Sequence, residues 1–125
     1  MKKPSEQTKG QQGEEWAAEY LKQKGLKIIE KNWKCRWGEV DLIAQTGNKI
    51  VFVEVKSRQS PEFGSGFEAV NKRKQEKILR SALSYLQKKS KNSNIHFGVI
   101  QVNLKEGKNS IEYLEFPLDG LGGYY

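Results

Sequence analysis

Three charged residues interrupt apolar stretches in the middle of this chain: Asp41, Glu54 and Lys56. Asp41 lies between Val40 and Leu42-Ile43-Ala44, and Glu54 and Lys56 close the run Ile50-Val51-Phe52-Val53-Glu54-Val55-Lys56. Side chains alternate along a strand, so Val51, Val53 and Val55 share one face and Ile50, Phe52, Glu54 and Lys56 the other. Both faces begin apolar, as in a strand covered on both sides. Charges on such a strand are costly to desolvate unless its end opens into a cleft or binds an ion. Thr46-Gly47-Asn48 reads as a hairpin turn, which leaves Asp41 and Glu54 at comparable distances from it and able to be neighbours.

Two carboxylates held close repel each other, and a cation between them relieves the repulsion. Oxygen ligands in a partly hydrated site suit Mg²⁺ or Mn²⁺. Such a metal activates water and neutralises charge on a phosphodiester under attack. Lys56, on the face of Glu54, is placed to orient that water or to stabilise the extra negative charge of the transition state. The same Glu-Val-Lys tripeptide also fits a solvated strand end.

Glu14 adds a third acid. On a helix it shares a face with Ala17, Ala18 and Leu21, while Glu15 and Glu19 point away. An acid on the buried stripe of a helix suits a further metal or water ligand; it equally suits a first-turn acid favoured by the helix dipole.

These residues require a particular set of elements. Residues 1–12 read as a loose basic arm and 118–125 as a glycine-rich tail with no assigned structure, leaving one domain over 13–117. A helix is expected over 13–24, with Gly25 as its stop. Strands are expected over 26–30, 39–45, 49–56, 95–103 and 111–116, with 32–37 less regular. A Gly-rich loop (57–66) leads to a second helix from about 68 to 89, whose apolar stripe is Ile78, Leu79, Ala82, Leu83 and Leu86. The last two strands pair antiparallel across the turn at 106–108. The order αβββαββ makes an α/β fold, a mixed sheet flanked by helices.

Composition narrows the function. Cys35 and His96 are the only residues of their types, which excludes an internal disulfide and a thiolate zinc cage, and leaves a Ser-His pair only one histidine to use. No apolar run is long enough to cross a bilayer, and the polar start is unlike a signal peptide, so a cytoplasmic address is expected. Lys and Arg number 22 against 15 Asp and Glu, a formal charge of +7. That surplus favours polyanion partners, although lysine-rich surfaces are common.

Asp41 followed by Glu54-Val55-Lys56 resembles the signature of the PD-(D/E)XK nuclease superfamily, whose fold is restriction-endonuclease-like. The longer string is more specific: Gly13-Glu14, Asn32, Gly38-Glu39-Val40-Asp41-Leu42-Ile43-Ala44, then Val51-Phe52-Val53-Glu54-Val55-Lys56-Ser57-Arg58. With Phe63-Gly64, Ala69-Val70 and Lys74-Gln75, it is similar to the bacterial YraN family of predicted endonucleases over roughly residues 10–115. The first helix is also similar to that of archaeal Holliday-junction resolvases, in which an equivalent Glu belongs to the site. The resemblance implies Asp41 and Glu54 as metal ligands, assisted by the Val55 carbonyl and by Glu14, with Lys56 as the catalytic cation. The first motif here reads Val-Asp, without the nominal Pro.

Further candidates flank this set. Arg58, Lys72, Arg73, Lys74 and Gln75 are placed to hold nucleic acid, or are solvated loop and helix groups. Glu39 is a substitute ligand at the strand entrance. Trp33 and Trp37 either stack on bases or are buried aromatics, and His96 and Cys35 read as structural. The expected function is a Mg²⁺- or Mn²⁺-dependent endonuclease acting on DNA, by analogy branched or junction DNA, and a homodimer if it is resolvase-like. RNA stays open, because nothing here reads a 2′-hydroxyl. The alternative is a catalytically weak or inactive nucleic-acid-binding module of the same fold.

Overall fold

The computed structural model describes residues 9–58, 72–89, 94–105 and 108–118. It contains α1 (Lys9–Gln23), β1 (Lys27–Cys35), β2 (Gly38–Thr46), β3 (Lys49–Arg58), α2 (Lys72–Lys89), β4 (Asn94–Lys105) and β5 (Lys108–Pro117). The strands form one sheet in the order β1-β2-β3-β4-β5. Only β3 and β4 run parallel; the other neighbours are antiparallel. This is the expected mixed α/β order, αβββαββ.

The alternation in β3 sorts the core into two layers. Ile50 and Phe52 join Val40, Ile43, Phe97, Val99 and the α2 residues Leu79, Ala82 and Tyr85. Val51 and Val53 join Leu42, Ala44, Ile100, Val102 and the α1 residues Ala17, Ala18 and Leu21. The two helices therefore cover opposite faces of the sheet, which explains why β3 is apolar on both sides.

Element ends differ from the sequence expectation for identifiable reasons. Helix α1 begins at Lys9, within the stretch expected to be a loose arm. At its other end Leu26 does not open a strand but closes the helix. Its amide donates to Leu21 O at 3.0 Å and that of Gly25 to Lys22 O at 3.0 Å, with Gly25 at φ 92°, the Schellman arrangement. Strand β1 then runs on to Cys35, carrying a bulge between Ile28 and Glu30 and a positive φ of 50° at Asn32. The β2–β3 turn is the expected hairpin, with Thr46 opposite Lys49 and Gly47 at φ 58°. Leu118, assigned to the unstructured tail, is fully buried in the α2-side layer. The Gly-rich loop from 59, residues 68–71 of the expected second helix and the 106–107 turn lie outside the described residues. Among the described residues, no helix is long and apolar enough to cross a membrane.

Candidate active site at the parting of two strands

The β2–β3 ladder pairs Thr46↔Lys49 through Leu42↔Val53 and stops there. Beyond that point β3 continues its parallel pairing with β4 as far as Arg58↔Asn103. The strands thus part at Asp41 and Glu54, and a side chain replaces the missing backbone partner: the Val55 amide donates to Asp41 Oδ2 at 2.8 Å. In an extended strand the N–H and C=O of one residue point toward the same neighbour. The Val55 carbonyl therefore opens on the gap that Asp41 occupies.

Acids approach this gap from both layers. Glu54 follows Phe52 onto the α2 side, where it and Asp41 line a cleft of about 290 Å³ together with Trp37, Glu39, Lys77 and Ser81. Glu14, on α1, is half-buried next to Ala17 and Ala18, on the face the helical spacing assigned to it. Gly13 brings this turn close: a Cβ there would run into Ser57 Oγ at the end of β3.

Asn32 joins the acids. It sits across from Asp41, between the pairs Lys31↔Leu42 and Trp33↔Val40. With its amide nitrogen turned toward the carboxylates, it donates to Glu39 Oε1 at 2.9 Å and Glu14 Oε2 at 3.2 Å. Asn tolerates a positive φ better than most residues, which fits the residue type to this position. No local pattern in the sequence exposes this bridge, because its partners lie on another strand and on a helix.

The electrostatics follow from crowding. Burial, then the charges of Glu14, Glu54 and Glu39, push the Asp41 carboxyl up to about 6 against the lowering effect of the Val55 amide. Burial also raises Glu14; the Asn32 amide opposes that rise and Glu39 adds to it. Lys56 Nζ lies 2.9 Å from Glu54 Oε1, with both side chains partly exposed. This ion pair places the only cation of the Glu-Val-Lys motif at the gap.

Among the described residues, no three His, Cys, Asp or Glu side chains come close enough to hold a metal ion by themselves. The donor set is nevertheless of the kind Mg²⁺ uses, since that ion keeps several waters and takes only one or two carboxylates. Asp41, Glu54 and the Val55 carbonyl would hold it, with Glu39 lining the same cleft.

The remaining candidates divide. Trp33 packs in the core, edge-on to Tyr85 at 5.3 Å, so its role is structural. Cys35 donates to Ser81 Oγ at 3.4 Å, and Ser81 donates to Lys77 O at 2.9 Å, which ties the end of β1 to α2 behind the cleft. His96 lies at the opposite end of the sheet, its Nδ1 2.8 Å from Glu115 Oε2, a carboxylate that Lys49 also holds at 2.7 Å. Lys72, Arg73, Lys74 and Gln75 lie on the first turn of α2 and Arg58 ends β3; their side chains fall outside the described residues. Lys77, one turn further along α2, does reach the cleft.

A family model described as "Uncharacterised protein family UPF0102" matches residues 13–102. The chain belongs to the UPF0102 family. The matched span contains Glu14, Asn32, Asp41, Glu54 and Lys56. A UPF0102 protein of Caldanaerobacter subterraneus subsp. tengcongensis is 48% identical over 120 residues, covering 95% of this chain and 98% of that protein. One from Syntrophus aciditrophicus is 46% identical over 107 residues, covering 85% and 84%. One from Rhodococcus opacus is 42% identical over 99 residues, covering 78% and 84%. The match to the first of these spans nearly the whole length of both proteins, and each match covers more than three quarters of this UPF0102 chain.

Proposed function

We propose that this UPF0102 chain is a metal-dependent endonuclease of the PD-(D/E)XK kind that hydrolyses DNA phosphodiester bonds. One observation carries the reading: where β2 and β3 part, Asp41 and Glu54 line one cleft, with Lys56 ion-paired to Glu54. A bound Mg²⁺ or Mn²⁺ supplies Lewis acidity toward phosphate and water. The chain's own residues do the rest. Asp41 and Glu54 would hold the ion, and the Val55 amide fixes the Asp41 carboxylate in place. Lys56 supplies positive charge where the attacked phosphate gains negative charge. Glu14 and Glu39, linked through Asn32, are placed to accept a proton from the attacking water.

DNA is favoured over RNA as substrate, and branched or junction DNA over linear, by analogy with resolvases. A junction-cutting activity requires two sites and therefore a homodimer. The net charge of +7 supports a polyanion partner.

The second reading is a nucleic-acid-binding module of the same fold with weak or no catalysis. The two readings separate in one assay. Wild type and Asp41→Ala are incubated with labelled linear, flap and four-way-junction DNA in Mg²⁺, Mn²⁺ or EDTA. The nuclease reading expects metal-dependent cutting that the variant loses while still binding DNA. No cutting of any substrate, with equal binding by both proteins, establishes the binding module instead.

A further inference from the structure

The tip of the β1–β2 hairpin carries a second arrangement that the metal site does not use. Cys35 pairs with Gly38, so Arg36 and Trp37 form a two-residue loop, with Gly38 at φ 132°. The Arg36 guanidinium lies 4.8 Å from the Trp37 ring centroid, and that of Arg80, on α2, lies 4.9 Å from the same centroid. Trp37 is half-buried and lines the cleft, while Arg36, Arg80 and Lys77 are exposed. Neither arginine is ion-paired among the described residues.

An indole in contact with two guanidinium groups is a device for holding them still. Stacking restrains the flexible arginine stems and leaves the N–H donors free at the edge, where they match phosphate oxygens bidentately. Ordering the side chains in advance removes part of the entropic cost of binding. The position is also suitable. From Gly38 to Asp41 is three residues of β2, about 10 Å of strand, so a phosphate held at the hairpin tip is close in the chain to one in the cleft.

We propose that Arg36, Trp37 and Arg80 form a clamp for the nucleic-acid backbone, gripping phosphates of the strand that enters the Asp41–Glu54 cleft, with Lys77 continuing the track inward. The clamp rests on the proposed nuclease reading and adds to it a binding subsite on the β1–β2 hairpin. It contacts phosphates and no base edges, so it confers affinity without sequence preference.

The test is the salt dependence of DNA binding, measured by fluorescence anisotropy with Ca²⁺ in place of Mg²⁺ on a labelled four-way junction and a single strand. Arg36→Gln with Arg80→Gln removes two exposed charges and leaves the core untouched. The expected result is weaker binding and a plot of log affinity against log salt that is shallower by about 1.4–1.8, since each of the two phosphate contacts contributes roughly 0.7–0.9. Trp37→Leu keeps both charges; it is expected to weaken binding and leave the slope near that of wild type, with circular dichroism confirming the fold. An unchanged slope and affinity in the double glutamine variant, with wild type binding normally, overturns the clamp and leaves the nuclease reading standing. Wild type that fails to bind either DNA overturns both.

Discussion

The Val55 amide donates to the Asp41 carboxylate at 2.8 Å at the point where the backbone ladder between their strands has ended. The bond fixes one acid of the site and completes the edge of β3, so it serves geometry and folding together. A neutral isostere separates those roles. Asp41→Asn retains a side-chain oxygen for the Val55 amide, so it is expected to fold and bind DNA while cutting falls by more than the roughly 10–100-fold seen when outer-shell metal partners are lost. Gel-based cleavage in Mg²⁺, beside anisotropy in Ca²⁺, measures both.

The raised Asp41 carboxyl is expected to make stability and the proposed cutting activity move in opposite directions with pH. Its folded value of about 6 exceeds its ordinary 3.8, so between these values the folded state holds the proton and the unfolded state does not. Stability is therefore greatest below about 4 as far as this group is concerned, and falls as pH rises toward 6. Above 6 the ionised acid costs up to about 3 kcal/mol, which Asp41→Asn is expected to recover in part. Urea unfolding in EDTA from pH 4.5 to 7.5 should show wild type losing stability relative to the variant. Metal-dependent cutting should rise over the same range, because ligation needs the carboxylate.

Asn32→Asp places another carboxylate against Glu14 and Glu39 in place of the bridging amide. A loss of stability at pH 8 is expected, because like charges are brought together. It should be smaller at pH 5, because burial raises the Glu14 carboxyl and so favours its neutral form as pH falls. Thermal melts at the two pH values test this; equal losses would place the effect in the backbone at φ 50° and not in charge.

Lys56→Met keeps the stem of the side chain and removes its ammonium. Cutting is expected to fall by about 10²–10³, the scale of one lost transition-state donor, while DNA affinity changes little. A loss of affinity alone, at unchanged turnover, would assign Lys56 to binding.

Gly98→Ala tests the sheet behind the site. A Cβ there would meet Tyr113 Cε1 and Val51 Cγ1 at 3.0 Å each, and overpacking of this kind costs about 1–3 kcal/mol. A lowered Tm with unchanged activity of the remaining folded enzyme is expected.

The sequence made the central hairpin, both layers of the core and the acids on them legible, because alternation and helical spacing are local properties. Ile50 and Phe52 on one face, Val51 and Val53 on the other, and Glu14 above Ala17 and Ala18 all follow from periodicity alone. What stayed hidden depends on contacts between distant segments. Asn32 shows no pattern until β1 is paired with β2 and α1 is laid beside it. Lys77 reads as one of five cations on the first half of α2 until the helix is seated over Asp41 and Glu54. Leu118 looked like the start of a tail because a single apolar residue beside glycines carries no period. Leu26 looked like a strand residue because the bonds that end α1 involve its backbone and not its side-chain type.

The parting of β2 from β3 also has a mechanical side. From Leu42 to Thr46 strand β2 is bonded on both edges, but from Gly38 to Asp41 it is bonded on the β1 edge alone. It is a cantilever whose outer end is the Arg36-Trp37 loop and whose root carries Asp41, while Glu54 rides on the fixed body of β3 and β4. Small bending of the hairpin loads the Asp41–Val55 bond without breaking a ladder bond. The braces against that bending are the Trp37–Arg80 contact and the Cys35–Ser81 bond with α2. A strand of nucleic acid gripped at the hairpin tip would therefore pull on a beam rooted at one of the two acids.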